Sequence, residues 1–507
     1  MKSHEWRAPS GLLALVLLAG AACGGAADTP PADGAADGAT GAAEAGDGEP
    51  IEDAQRPADP DDPDEAADPR PDGSGDGPAL RVSTPGFDGE TIVVGAFTPP
   101  PGSAGEQAAA ALAGIEAYVA QLNRSGGVLG RYPVEVLRAP VADGDTAQDA
   151  YEATRDDVLL YVHVPGDMAD GLLEPFEADD VVGAPAATEG RWLREQNALA
   201  FLTPDEMQVA NGIDWALADA GLGVVTVGDL RVRWSSVLGT AGTAMAGEQA
   251  GAQAGHVVCA AVRRGRQGQA AAAAVRVVAG SRPVTLGTVV ELPPDDPGRP
   301  AAVRAALRVA VAELRAAGCE TVVLGSSPHQ TGPLLAAAAD GWYAPRWVGL
   351  SASWSPALAR VPLADYLRDH LVVVGDGLVD WTPEDAGGAA AVLRAARDDH
   401  APGTADGDRD FALGYAQGVV VRQVIEQALA MGDMSRAGVI NAVNTLDELR
   451  LDGLAEDVPY GPPEARRTPR RSAIYVVDPS APWGLRERRP PHASASTTVV
   501  ARELRLR

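Results

Sequence analysis

The run TIVVGAFTPPPGSAGEQAAAALAGIEAYVAQLNRSGGVLGRYPVEV, residues 91–136, sets the fold expected for this chain. Residues 92–96 are apolar and largely β-branched, and turn residues follow them, which is typical of a buried parallel strand. Residues 99–102 break the strand, and apolar side chains then recur at helical spacing over residues 108–122. Glycines end the helix, and residues 132–137 alternate into a second strand. The run therefore predicts a β-loop-α-β unit whose loop, at the carboxyl end of a strand, is a place for a ligand.

Within this run, LNRSGGVLGR at residues 122–131, after a loop ending in Gly-Glu-Gln and a long helix, resembles the opening of type I periplasmic binding proteins. The resemblance is to the branched-chain amino acid (Leu/Ile/Val) binding group of ABC-transporter receptors. PAAT at residues 185–188 matches the family's strand-end motif, and FLTPD at residues 201–205 matches its crossing into the second lobe. The resemblance implies an α/β fold of two Rossmann-like lobes, joined by a three-segment hinge that closes on a ligand. A generic α/β unit of an enzyme or response regulator is the alternative.

The resemblance and the composition together divide the chain. The expected segments are a signal peptide (1–22), a lipid-anchored disordered acidic linker (23–88), the first part of the N-lobe (89–205), the C-lobe (206–373), the second part of the N-lobe (374–456), a closing C-lobe segment (457–486) and a loose basic tail (487–507). Within the C-lobe, residues 223–227 and 235–255 are expected to form a strand and a helix. The basic, alanine-rich run 263–280 is expected to be an insertion that forms a helix or an extra strand.

The N-terminus carries two basic residues, an apolar run and then small residues up to Cys23. This pattern is typical of a secretory signal peptide and is too short for a stable membrane span. A cysteine after Gly-Ala-Ala, followed by two glycines, resembles the lipobox of bacterial lipoproteins, although Gly20 stands where that motif usually has leucine. We expect a lipid on Cys23 and a location on the outer side of a bacterial membrane. A signal peptide with an incidental cysteine is the alternative.

Residues 24–88 are rich in Ala, Gly, Pro and Asp, a composition that cannot bury a core. They hold 17 Asp and Glu against 3 Arg, so nearly half of the formal net charge of −29 lies there. The rest of the chain shows no basic stripe, which argues against a nucleic-acid partner.

No motif of enzyme chemistry occurs in the sequence: there is no Gly-x-Ser-x-Gly, no His-Glu-x-x-His and no phosphate-binding loop. The seven histidines lack metal-ligand spacing, so we expect no catalytic residue, no metal and no cofactor. Cys259 and Cys319 either pair in a disulfide, as is common in exported proteins, or remain two buried thiols.

Candidate ligand contacts follow from the resemblance, position by position. They are Ser103 (also a plausible helix cap), Gly105, Gly166, Asp167, Ala187, Thr188, Arg233, Trp234, Ser327 and Ser351.

Two of these positions depart from the family's amino-acid receptors. Asp167 stands where those receptors place hydroxyls for the ligand carboxylate, and Ser351 stands near their acidic partner for the ammonium group. An ordinary α-amino acid would lose a partner at each end, so a neutral polar ligand, or one with a cation facing Asp167, is expected. Alternatively, Asp167 caps the next helix.

These features together predict an extracytoplasmic, lipid-anchored receptor that binds a small polar molecule. Its partner would be an ABC permease or a membrane sensor, and it would not be an enzyme. The alternative is a lipoprotein of the same fold that regulates an envelope or cell-wall enzyme by protein–protein contact, with a vestigial cleft.

The substitution Cys23→Ser is expected to release the protein from the membrane fraction, because it removes the sulfur that would carry the lipid. Fractionation of cells expressing each form measures this, and Gly25→Ser, which keeps the cysteine, serves as the control. An unchanged membrane-bound fraction for Cys23→Ser would refute lipid attachment at this residue.

Overall fold

The computed structural model describes residues 84–100, 102–142, 144–222, 255–296, 298–383 and 386–506. The signal peptide, Cys23 and most of the linker lie outside these residues, as do Arg233 and Trp234. The strand and helix expected over residues 223–227 and 235–255 also lie outside them, apart from Gly255. Among the described residues, no helix combines the length and the apolar composition needed to cross a membrane.

The first described part of the chain builds the sheet of one lobe and enters the other. Four parallel strands lie in the order β2-β1-β3-β4, so the β-loop-α-β unit expected from residues 91–136 is confirmed. The elements are β1 (Ile92–Thr98), α1 (Ser103–Arg124), β2 (Val134–Pro140), α2 (Ala147–Thr154), β3 (Leu160–Val164), α3 (Ala169–Ala178), β4 (Gly183–Pro185) and α4 (Asp205–Asp219).

The second part supplies most of the other lobe's sheet. Five parallel strands lie in the order β9-β8-β7-β5-β6. The elements are β5 (Val257–Val262), α5 (Arg266–Ser281), β6 (Thr285–Glu291), α6 (Pro300–Ala316), β7 (Thr321–Gly325), α7 (Pro328–Asp340), β8 (Arg346–Leu350), α8 (Ala364–His370) and β9 (Leu371–Val374).

Residues 263–280 mostly form a helix, one of the two expected forms, but their interpretation as an insertion was wrong. They form most of α5, which connects two paired parallel strands, β5 and β6, of this lobe. Ala271, Val275 and Val278 are fully buried in the core of this lobe. The alanines allow the helix to pack closely, while Arg264 and Arg266 at its beginning remain exposed.

The last part of the chain returns to the first lobe and then completes the second. Strand β12 pairs antiparallel with β9, and β13 pairs antiparallel with β12, which extends that sheet to seven strands. The elements are α9 (Ala389–His400), α10 (Arg409–Met431), α11 (Arg436–Thr445), β10 (Glu448–Leu449), β11 (Val458–Pro459), β12 (Ser472–Val477), β13 (Leu485–His492) and α12 (Ala495–Glu503).

The C-terminal segment differs from the loose basic tail expected over residues 487–507. It contains most of edge strand β13 and the whole of α12, whose Val500 and Ala501 are buried against the core of the second lobe. Arginines and prolines on β13 obscured the strand pattern, and charges and prolines are what an exposed edge strand tolerates.

The chain passes between the lobes three times, and the three passes are hydrogen-bonded side by side. The amide of Thr203, in the first pass, donates to the carbonyl of Asp376 in the second, at 2.8 Å. The hydroxyl of Thr203 donates to the carbonyl of Arg471 in the third, at 2.7 Å. These bonds fix the point at which the two lobes are connected.

Cys259 and Cys319 form a disulfide, which decides between the two alternatives left open by the sequence. Cys259 lies in β5 and Cys319 precedes β7, so the bond ties two neighbouring strands of one sheet. Their sequence separation is 60 residues. Closing a loop of that length stabilises the folded state by about 4 kcal/mol in the chain-entropy account.

The end of the expected linker belongs to the folded domain, contrary to the boundary at residue 88. Phe87 is 2% exposed and meets Tyr132 edge to face, with ring centroids 5.7 Å apart. Gly86 has φ +72°, and a Cβ there would lie 1.9 Å from the amide nitrogen of Leu159. The turn can therefore pack so closely only with glycine.

Substituting Phe87→Ala is expected to lower the free energy of unfolding by about 3 kcal/mol, because it leaves a cavity beside Tyr132. Chemical denaturation of the soluble domain measures this. As the control, deletion of residues 24–83, whose composition offers no core, should leave the unfolding free energy unchanged. A Phe87→Ala variant as stable as the parent would contradict the docking of this turn.

Candidate functional site

A cavity of about 120 Å³ lies between the two lobes and is lined by both. Its apolar side comes from Ala108, Ala111 and Leu413 of the first lobe. The lining polar side chains are Gln107, His163, Asp167 and Asp410, with Arg409, from the first lobe and Arg263, Gln267, Asp295 and Ser327 from the second. Such a mixture of apolar surface and a few convergent polar groups is typical of small-molecule sites.

The first wall is the beginning of α1. The helix begins at Ser103, with Gly102 as its N-cap, so Ser103 is the first helical residue and not the cap. A Cβ at Gly105 would lie 2.4 Å from the carbonyl oxygen of Pro100, so Gly105 serves the tight loop and is absent from the cavity lining. Ala104 and Gln107 of this helix line the cavity. The side chain of Ser103 is outside the described part of the chain.

The second wall is the end of β3, where Gly166 and Asp167 line the cavity. Asp167 is exposed at the rim, so water screens its charge and a ligand carboxylate would meet less repulsion than the sequence led us to expect. Helix α3 has Met168 as its N-cap, without a side-chain hydrogen bond, so the capping alternative for Asp167 is not observed.

His163, also in β3, contributes a neutral polar group. Burial lowers the pKa of its imidazole to about 4. The ring is therefore uncharged at neutral pH, and its Nδ1 lies 2.8 Å from Oε1 of Gln417, an acceptor that favours the Nδ1–H tautomer. Gln417 in turn donates to the carbonyl of Ala184 at 3.0 Å.

Ala187 and Thr188 lie next to the cavity but outside its lining. Ala187 packs behind Gly166, where a Cβ would come within 3.4 Å of the Cβ of Ala187. The hydroxyl of Thr188 donates to the carboxylate of Asp205 at 2.5 Å. This hydroxyl therefore binds the first residue of α4 and is not free for a ligand.

In the second lobe, Ser327 lines the cavity and donates to Asp295 at 2.6 Å. Ser351 does not line it, whereas the next residue, Ala352, does. The amide of Ser351 donates to Gln208 at 2.9 Å, and its buried hydroxyl has no hydrogen-bond partner among the described residues. Ser351 lines a separate cavity of about 60 Å³.

Arg263 and Gln267 are lining residues that the sequence analysis missed, because it placed them in an insertion. The sequence did contain a pattern that indicates a ligand position: Arg263 directly follows the apolar run VVCAAV, at the carboxyl end of a parallel strand. The backbone amide of Arg263 donates to the carbonyl of Gly325 at 2.7 Å, and Gln267 donates to Asp205 at 2.9 Å. The Nε of Arg263 is buried, and no residue in the described ranges accepts a hydrogen bond from it.

The other lining arginine, Arg409, is bound to carboxylates on both sides. Its Nε donates to Asp376 at 2.6 Å and its Nη1 to Asp410 at 2.7 Å. Burial raises the pKa of Asp410, whose carboxylate is also hydrogen-bonded by Gln107. This network joins α1, α10 and the second pass between the lobes.

Three buried carboxyl groups lie behind the cavity, on Glu189, Asp205 and Glu206. Burial raises the pKa of all three, that of Glu206 to about 7. Glu206 accepts from the amide of Gly190 at 3.0 Å, and Glu189 accepts from the indole of Trp192 at 2.9 Å. Together with Thr188 and Asp205, these contacts hold the end of the first pass against α4.

A second, larger cavity of about 390 Å³ shares the lining residues Gln107 and Asp410 with the first. Trp354 and Trp483 of the second lobe line this second cavity. Neither tryptophan was singled out from the sequence. Aromatic side chains give a ligand a large contact area, so this second cavity can accept an apolar portion of a ligand.

Within the described ranges, no group of three or more His, Cys, Asp or Glu side chains could hold a metal ion. The polar part of the described lining consists of amides, the hydroxyl of Ser327, a neutral imidazole and charged groups. These groups suit reversible binding of a small molecule.

No family model matches this sequence, and no curated protein sequence matches it. Solved structures do match. A fatty acid ABC transporter substrate-binding protein from Thermomonospora curvata is 19% identical, with a TM-score of 0.67, and the match covers 83% of this chain and 96% of that one.

Two further structures match over similar lengths. A branched-chain amino acid ABC transporter protein from Thermus thermophilus with bound valine is 13% identical, with a TM-score of 0.59, over 81% of this chain and 98% of that one. A solute-binding protein from R. palustris in complex with benzoate is 12% identical, with a TM-score of 0.56, over 80% and 98%. The chain has the two-lobed α/β fold of type I periplasmic binding proteins.

The substitution Glu206→Gln is expected to raise the free energy of unfolding above pH 7 by about 3 kcal/mol, and to have little effect below pH 4.5. The folded-state pKa is about 7 against an ordinary 4.5. The folded protein therefore binds the extra proton in that window, and stability is lost as the pH rises through it.

Denaturation at about pH 4 and about pH 8 tests this. Glu177→Gln, at an exposed position of α3, is the control and should behave as the parent. Equal stability of Glu206→Gln and the parent at the higher pH would contradict the prediction.

Proposed function

We propose that this protein is the substrate-binding component of an ABC transporter. It binds a small molecule between its lobes, outside the cytoplasmic membrane, and presents it to a permease. The observation that carries the proposal is the cavity lined by polar groups of both lobes, at the carboxyl ends of parallel strands. The matching structures support it, because several of them are substrate-binding proteins of ABC transporters.

A ligand that contacts both lobes would stabilise their closed arrangement. Ligands shift a conformational equilibrium only by binding one state more tightly than the other. Here α1 and the end of β3 contribute from one lobe, and the loops after β5 and β7 contribute from the other. The three passes at Thr203, Asp376 and Arg471 would act as the hinge, and the permease would recognise the closed form.

The proposed attachment of the chain to the membrane rests on the sequence alone. A lipid on Cys23, followed by the acidic segment, would tether the domain to the outer side of the membrane. A tethered receptor stays near its permease, which raises its effective concentration there.

Filling the cavity is expected to abolish ligand-induced stabilisation. Ala104→Trp places a bulky side chain at the lining of α1, whereas Ala109→Trp, exposed on the same helix, should behave as the parent. A thermal-shift screen with small metabolites provides the measurement, because a saturating ligand stabilises by RT ln(1 + [L]/Kd).

Retention of the full shift by Ala104→Trp would place the ligand elsewhere. If no metabolite stabilises the parent protein, the receptor role fails, and the regulator of an envelope enzyme becomes the better account.

A further inference from the structure

We propose that the ligand of the interlobe cavity carries a carboxylate group and that Arg263 binds it. This inference rests on the proposed function and names the substrate class: a small monocarboxylate that lacks a neighbouring ammonium group.

Arg263 is a cation in the lining of the cavity, and no described residue places an opposite charge close to it. Its side chain is half-buried, its Nε is buried without a hydrogen bond, and no described carboxylate oxygen lies within 4.0 Å of its nitrogens. A partly desolvated guanidinium without an acceptor is unfavourable, and a bound anion would relieve that cost.

The acidic groups near Arg263 are engaged with other partners. Asp205 accepts from Thr188 and Gln267, and Glu189 accepts from Trp192. Both carboxyl groups attract Arg263, but from beyond ion-pair distance. This attraction lowers the pKa of each carboxyl group, whereas burial raises it and has the larger effect. The positive charge of Arg263 is thus partly balanced at long range, while no described residue accepts a hydrogen bond from its guanidinium.

The backbone holds Arg263 in place. Its amide donates to the carbonyl of Gly325, at the end of the neighbouring strand β7. Its own carbonyl lies so close to α5 that a Cβ at Gly268 would come within 1.8 Å of it. A guanidinium on a fixed backbone can offer two parallel N–H donors, the geometry that one carboxylate accepts.

The remaining lining explains why an ammonium group is not favoured. Among the described lining carboxylates, Asp410 is bound to Arg409, while Asp167 and Asp295 are exposed at the rim. A ligand ammonium would find only screened or occupied partners there. On the opposite wall, His163 is neutral and Gly166 offers no side chain, so neither opposes a carboxylate.

Calorimetry with four compounds of one carbon skeleton tests the inference: isovalerate, isovaleramide, isopentylamine and valine. Wild-type protein should bind isovalerate more tightly than the amide, the amine or valine. Arg263→Gln should weaken isovalerate binding by at least about tenfold, and Arg263→Lys by less. Arg264→Gln, at the exposed neighbouring position, is the matched control and should bind as the wild type does.

A second measurement separates a ligand contact from a structural one. Without ligand, Arg263→Gln should melt close to the wild-type temperature, because relief of the partly desolvated charge offsets the lost long-range attraction to Asp205 and Glu189. A clearly lower melting temperature would show that Arg263 serves mainly to hold the folded chain together and would overturn the inference.

The results also distinguish an error in the carboxylate assignment from an error in the proposed receptor function. If the amide or valine binds as tightly as isovalerate, or if Arg263→Gln binds isovalerate unchanged, the carboxylate assignment is wrong and the receptor role stands. If neither these four compounds nor any metabolite of the thermal-shift screen binds, both proposals fail.

Discussion

The close packing of α1 against α10 is the contact on which the first lobe and its side of the cavity depend. A Cβ at Gly414 would lie 1.8 Å from the carbonyl oxygen of Ala111, and one at Gly114 would lie 2.0 Å from that of Phe411. The two backbones can approach this closely only because both positions lack a side chain. The contact joins segments from opposite ends of the domain, and it brings Gln107 and the Arg409–Asp410 pair into one wall of the interlobe cavity.

The polar groups around that cavity fall into two classes. Most are already bonded within the protein: His163 to Gln417, Thr188 to Asp205, and Arg409 to two carboxylates. These groups fix the connection between the lobes and the shape of the walls. Arg263 belongs to the other class, since its Nε lacks a partner among the described residues. Where most polar groups of a site are already hydrogen-bonded within the protein, a group without such a bond is the one expected to bind a ligand.

Much of the secondary structure followed from the sequence, because short β-branched runs and helical apolar spacing recur along the chain. The predictions were wrong where the local sequence pattern of a segment did not reflect its position in the folded chain. Residues 263–280 looked like an insertion because they begin with arginines and continue as alanines, yet the alanines pack as a core helix. The prolines and arginines of β13 concealed an edge strand. Of the cleft positions inferred from the resemblance, Gly166, Asp167 and Ser327 line the cavity, whereas Thr188 and Ser351 bond elsewhere.

The sequence by itself determined the α/β class and the first β-loop-α-β unit, because these depend on periodicity and on turn residues, which are local properties. The expected two-lobed order of segments and most of the expected ligand loops came from the resemblance to a known family. The tertiary structure decided which side chains are free in the cavity and which are already bonded. It paired Cys259 with Cys319, bound Thr188 to Asp205 and, among the residues that the structure describes, placed no close partner beside Arg263. Such pairings join residues far apart in the chain, and a side chain's availability depends on what the folded chain brings beside it.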